Sequence, residues 1–121
     1  MGTTGSANYP TTSGAYSQTF KGGKNLNYDW SIAFPSGSDI IISKLSADGT
    51  QLIGSTFLGG TGNDGLNYKK NYKNLGTYGN DSLYYNYGDG ARGEISLDEN
   101  QNIYIASSTF SANFPTTPAL S

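Results

Sequence analysis

The sequence has no cysteine, no histidine and no valine. Without cysteine there is no disulfide to staple a small fold, no thiolate metal site and no thiol nucleophile. Without histidine the commonest general base and the commonest metal ligand are also missing. With no valine, the apolar load falls on isoleucine, leucine and the aromatic residues, within a hydrophobic fraction of only 35%. At 121 residues the chain is one domain or less, and its core must be thin. Charge is sparse and nearly balanced, seven basic against nine acidic residues. That excludes the basic stripe a nucleic-acid surface needs. The one basic cluster, Lys69, Lys70 and Lys73, reads as a solvated loop. No run approaches the ~20 apolar residues of a membrane-spanning helix. The start, Met1-Gly2-Thr3-Thr4-Gly5, lacks the basic-then-apolar pattern of a leader and reads as an engineered start or an internal cut.

Gly, Asn, Ser, Thr and Tyr are abundant, a composition of strands, turns and hydrated loops. No segment sustains helical spacing, so no helix is predicted. A repeat is present. Ser6-Ala7-Asn8-Tyr9-Pro10-Thr11-Thr12 recurs as Ser111-Ala112-Asn113-Phe114-Pro115-Thr116-Thr117, with Pro10 and Pro115 105 residues apart. The chain therefore holds about one period of an array. Four strands are predicted between the copies: Asp39 to Leu45, Leu52 to Leu58, Glu94 to Asp98 and Ile103 to Ser107. The first two are joined across Ala47-Asp48-Gly49-Thr50, a strong hairpin signal, and the last two across Glu99-Asn100-Gln101-Asn102. Alternation of Ile95 and Leu97, and of Ile103 and Ile105, predicts one buried face on each strand of the second hairpin. Residues 10–38 and 59–93 carry almost no strand signal and are read as two long loops. In an up-and-down meander the tight turns at 46–51 and 99–102 fall at one end. The long loops, which hold most of the aromatic residues, fall at the other.

Residue type offers several candidate sites. Carboxylate pairs among Asp64, Asp81, Asp89 and Glu94 could support glycan chemistry, but the three aspartates sit beside Gly or Asn, the signature of turn and cap duty. The same chemistry makes Asp64, Asp89 and Glu94 candidates for a structural calcium ion, without a recognised loop spacing to support it. No other cofactor is expected. A glycan-binding face could be built from Tyr28, Trp30, Tyr84, Tyr85 and Tyr87 with Asn86 and other amides. The blander reading is that these rings pack on one another to order long inserts. Trp30 is the anchor in either case. Arg92 could pair with Asp89 or Glu94, an exposed pair of little weight.

The ordered set of elements resembles the SBBP family of bacterial β-propeller repeats. The residues that carry the resemblance are Tyr9-Pro10-Thr11-Thr12, Gly14-Ala15-Tyr16, Asp39-Ile40-Ile41-Ile42-Ser43-Lys44-Leu45, Asp48-Gly49-Thr50, Ser55-Thr56-Phe57-Leu58-Gly59-Gly60, Asp64-Gly65, Ile95-Ser96-Leu97-Asp98 and Asn102-Ile103-Tyr104-Ile105. Two inserts depart from the minimal repeat. With them, and with the run Gly88 to Glu94, the chain looks like the variant in large surface proteins of gliding Bacteroidetes exported by the type IX route.

The resemblance implies an all-β, antiparallel propeller-type fold of about one blade period. It divides into the end of a preceding repeat and its linker (1–16), an insert (17–38), a hairpin (39–60), a Tyr/Gly/Asn-rich insert (61–93), and a second hairpin with the start of the next repeat (94–121). It places 39–45 and 52–58 as the outer pair of one blade and the second hairpin as the inner pair of the next. A single period then leaves strand edges for neighbouring repeats of the same chain, or for self-association. The function expected is a non-catalytic structural and recognition module, secreted or on the outer face of a Gram-negative cell, in adhesion or gliding motility, with a glycan or surface protein as candidate partner and no membrane insertion. The alternatives are a carbohydrate-binding accessory module and a fragment of a carboxylate-dependent glycan-active enzyme. A pure spacer is the dullest reading.

Overall fold

A computed structural model describes residues 1–29, 32–66 and 93–117, with the side chains of 27–29 and 32 left aside. The described fold is all-β: seven strands and no helix. They are β1 (Gly2–Thr4), β2 (Leu26–Asp29), β3 (Ile32–Phe34), β4 (Asp39–Leu45), β5 (Leu52–Leu58), β6 (Glu94–Leu97) and β7 (Ile103–Ala106). They form a three-stranded sheet in the order β1-β4-β5 and two separate pairs, β2-β3 and β6-β7, all antiparallel. Helices capable of crossing a membrane do not occur among the described residues.

β4 and β5 have the predicted bounds, because an Ile-rich run and its partner are locked by a chemically explicit turn. Gly49 takes φ 73°, and the Asp48 carboxylate accepts hydrogen bonds from Ser46 Oγ and from Thr50 N and Oγ1. The second hairpin also forms, one residue shorter on each strand than predicted. Asp98 leaves the ladder to cap the turn, accepting from the N–H groups of Asn100 and Asn102 and from the Tyr104 hydroxyl. The two tight turns approach one another, Lys44 Nζ beside one donating to Gln101 Oε1 in the other at 3.0 Å, but the two hairpins belong to separate sheets and do not make the single up-and-down meander expected.

Three strands lie outside the four-strand expectation. β2 and β3 fall inside 10–38, which is therefore not a plain loop; short strands with a register irregularity between Asn27 and Asp29 leave little periodic trace in sequence. β1 has no apolar pattern at all and exists because β4 offers it an edge. The buried face predicted for β6 and β7 is not realised either. Every residue of β6 is exposed, and only Ile105 of β7 is partly covered, since no second layer lies against this hairpin among the described residues.

The apolar core is small. Leu26, Phe34 and Leu66 form one cluster. Ile40 and Phe57 are buried on the main sheet, with Tyr9 edge-on to Phe57 at 6.2 Å and Phe20 tilted against it at 5.9 Å. Residues 12–17 run along the outer edge of β5: Thr12 N bonds Ser55 O, and Phe57 N bonds Ser17 O. That covers a strand edge which would otherwise invite pairing.

Candidate functional site

The polar residues converge where the main sheet hands the chain on to the second hairpin. Asp39 opens β4 and Asp64 lies in the loop after β5; both are fully buried. Asp39 Oδ2 accepts from Lys21 N at 2.7 Å and its Oδ1 from Gly22 N at 3.0 Å. Asp64 Oδ2 accepts from Gly60 N and from Ser111 Oγ, each at 2.8 Å, and its Oδ1 accepts from Thr109 Oγ1. Backbone bonds from Asp64 N to Ser38 O and from Gly65 N to Ser108 O close the junction on either side.

Gly59 is required between the two carboxylates. A Cβ there would lie 2.6 Å from Asp39 Oδ1 and 2.8 Å from Asp64 Oδ2. Burial pushes the Asp39 carboxyl above its ordinary range, opposed by the N–H groups of Lys21 and Gly22 and reinforced by the Asp64 charge. Lys21 Nζ, 3.2 Å from Gly59 O, supplies the nearby positive charge. With every carboxylate oxygen engaged by an N–H or O–H donor and neither side chain open to solvent, the pair holds a glycine turn in place.

The partner segment of this clasp is the repeated one. Thr109, Ser111 and Asn113 all face the loop. Ser111 Oγ also bridges Gly62 N and O, and Asn113 Oδ1 accepts from Thr61 N and Oγ1. The first copy has the same local shape. Tyr9 N bonds Ser6 O as Phe114 N bonds Ser111 O, and Ser6 N bonds Thr4 Oγ1 as Ser111 N bonds Thr109 Oγ1. The repeat thus extends back to Thr4 and Thr109, two residues before the matching seven-residue string. Both threonines stand opposite a buried aspartate in an antiparallel pairing, Thr4 with Asp39 and Thr109 with Asp64.

Of the residues proposed from sequence, only Asp64 belongs to this junction. Glu94 opens β6 opposite Ala106 and is exposed. Asp89, Trp30, Tyr84, Tyr85, Asn86 and Tyr87 lie outside the described residues, and Tyr28 is described by its backbone alone, in β2. Among the described residues no group of three or more acidic side chains is gathered to hold a metal. Sequence reasoning missed Asp39, Thr109, Ser111 and Asn113. The signal available was the spacing Thr-x-Ser-x-Asn, present at both ends of the period. Apart from the junction, toward the tight-turn end of the main sheet, an open cleft of about 400 Å³ is lined by Tyr16, Ile42, Lys44 and Ile53 together with Ile103 of the second hairpin. Compared with known protein families, curated proteins and solved structures, the chain has no match.

Proposed function

We propose that the chain is a non-catalytic repeat module of propeller type, working as a structural and recognition element of a secreted or surface protein of the adhesion or gliding-motility kind. The carrying observation is where β1 sits. Residues 2–4 are the repeat counterparts of 107–109, which continue β7, and β1 pairs antiparallel with β4. A β6-β7 hairpin from an adjoining period would extend β1 along β4. The result would be a four-stranded antiparallel sheet in the order β6-β7-β4-β5, which is blade-like. The buried carboxylates, with a donor on every oxygen, favour an architectural over a catalytic use of the junction. The surface location and the adhesion role rest on the family resemblance.

The test is a chain in which a copy of Gly93–Ala106 is placed directly before Gly2. A repeat module gains a strand: the unfolding midpoint rises and amide exchange slows along Ile42–Leu45. An unchanged midpoint with unprotected amides there would sink the reading.

A further inference from the structure

On this repeat reading, the β4 edge is an acceptor for the tail of a second copy. We infer that residues 103–117 of that copy take the place of residues 1–12, with Ile103 opposite Leu45, and that Phe110 is what restrains the exchange between identical chains. The register follows from the structure. Gly2 stands opposite Ile41, and the ladder on that side of β4 stops there. The repeat puts Ser107 in Gly2's place, so Ala106, Ile105, Tyr104 and Ile103 fall opposite Ile42, Ser43, Lys44 and Leu45. Where β1 pairs three residues, the incoming strand pairs those positions and the four of β7. The tail arrives with its own Gly60–Asp64 loop already clasped.

Position by position, the tail fits the head's site with one exception. A Cβ on Gly2 would lie 3.7 Å from the Ile41 side chain, ordinary contact, so serine is accommodated. Thr3 uses its hydroxyl on Gly65 O, and Ser108 keeps a hydroxyl there. Positions 4, 6, 7, 8, 10, 11 and 12 are identical in the two copies. Phe114 preserves the Tyr9 ring and loses only its hydroxyl bond to Ser43 Oγ. The exception is Gly5, where the tail has Phe110. Even a Cβ there would lie 2.9 Å from Cδ1 of the buried Phe34 and 3.3 Å from Gly37 O. A phenyl ring must displace a core side chain and backbone, an overpacking cost. Neighbours in the array are thereby ordered: this acceptor edge takes a tail that carries glycine at that position.

The absence of native cysteine makes cross-linking clean. A Leu45→Cys chain is mixed with Ile103→Cys, Tyr104→Cys or Ile105→Cys chains, in the wild-type and Phe110→Gly backgrounds, under mild oxidation, with association followed by light scattering. Phe110→Gly should tighten association about tenfold or more. The cross-link should be dominated by positions 45 and 103, with position 104 on the opposite face and silent. Gly5→Phe, which puts the same clash into the resident head, should also raise association. If association rises but the three cysteine pairs react alike, the register is wrong while the repeat reading stands. If neither variant associates more than wild type, yet the hairpin-extended chain is stabilised, the tail exchange is refuted alone. If that extension also fails, both readings fall together.

Discussion

Replacing Asp64 with alanine removes the acceptor for Gly60 N and for the Thr109 and Ser111 hydroxyls at a site closed to solvent. Hydrogen bonds to a charged acceptor contribute about 1.5–3 kcal/mol each, and a buried donor left without a partner costs about 1–3 kcal/mol. The losses are not additive, because Ser111 Oγ keeps Gly62 O as an alternative acceptor. The Gly60 N–H has no such recourse. An overall loss of about 3–5 kcal/mol follows, a large share of the ~5–15 kcal/mol typical of a domain. The unfolding midpoint should drop by about 10–20 °C. Asp64→Asn is the informative control. An amide oxygen in the Oδ2 position keeps Gly60 N and Ser111 Oγ, while its NH₂ donates to Thr109 Oγ1, whose hydroxyl can rotate. That variant should lose only about 1 kcal/mol. Thermal unfolding of both variants, with and without calcium and a chelator, decides the matter. Were the asparagine variant as damaged as the alanine variant, with wild-type stability sensitive to chelation, the aspartate's charge would be serving a cation, and the hydrogen-bond account would be wrong.

Two further outcomes follow from the same geometry. Tyr9→Phe keeps the ring on Phe57 and loses the 3.1 Å bond to Ser43 Oγ, which retains Ser55 Oγ; thermal melts should show a loss of about 0.5–1.5 kcal/mol, and a larger loss would mean the ring itself moves. Asp48 is held down to about 2, chiefly by the Ser46 hydroxyl and then by Thr50, so its turn contribution is present above pH 3.8 and lost as pH falls through about 2, which carboxyl NMR titration reads directly. Asp39 runs the other way: its raised value means that its favourable contribution is full below pH 3.8 and is lost as pH rises through the folded value, so the two resonances should titrate on opposite sides of the ordinary position, and coincident midpoints would contradict the burial of Asp39.

The parts of the fold legible in sequence are those with local causes. Ile40 to Leu45 and Leu52 to Leu58 announce themselves through β-branching and a Ser-x-Asp-Gly-Thr turn, and Ile95 to Ile105 through alternation around an Asp-led turn. The rest has tertiary causes. β1 is three residues that become a strand only against β4. Asp64 carries the sequence signature of a turn residue. What makes it a junction is Thr109 and Ser111, 45 and 47 residues away. Asp39 reads as a strand opener, and only the return of Lys21 and Gly22 shows that its carboxylate organises an insert.

On the repeat reading proposed above, the apolar and polar surfaces would have different duties in holding periods together. Leu45, Leu97 and Ile103 are each about half exposed or more, at 57%, 61% and 49%. Leu97 is already opposite Ile103, and the extended ladder would set Leu45 on the other side of Ile103, making one cross-strand row. Fully burying such side chains is worth about 1.5–3 kcal/mol each, enough to drive association but not to aim it. A slip of two residues would put Ile105 where Ile103 belongs and preserve the apolar row. The same slip would carry Thr109 away from its place opposite Asp39. Ser111 would leave the Thr-x-Ser turn position, and Phe114 would leave the Phe57 ring. The apolar row therefore supplies affinity, while the short polar motif rejects the neighbouring register. That division accounts for strict repetition of Thr-x-Ser-Ala-Asn at both ends of the period, while the residue between the threonine and the serine, glycine in one copy and phenylalanine in the other, decides which tail the β4 edge accepts.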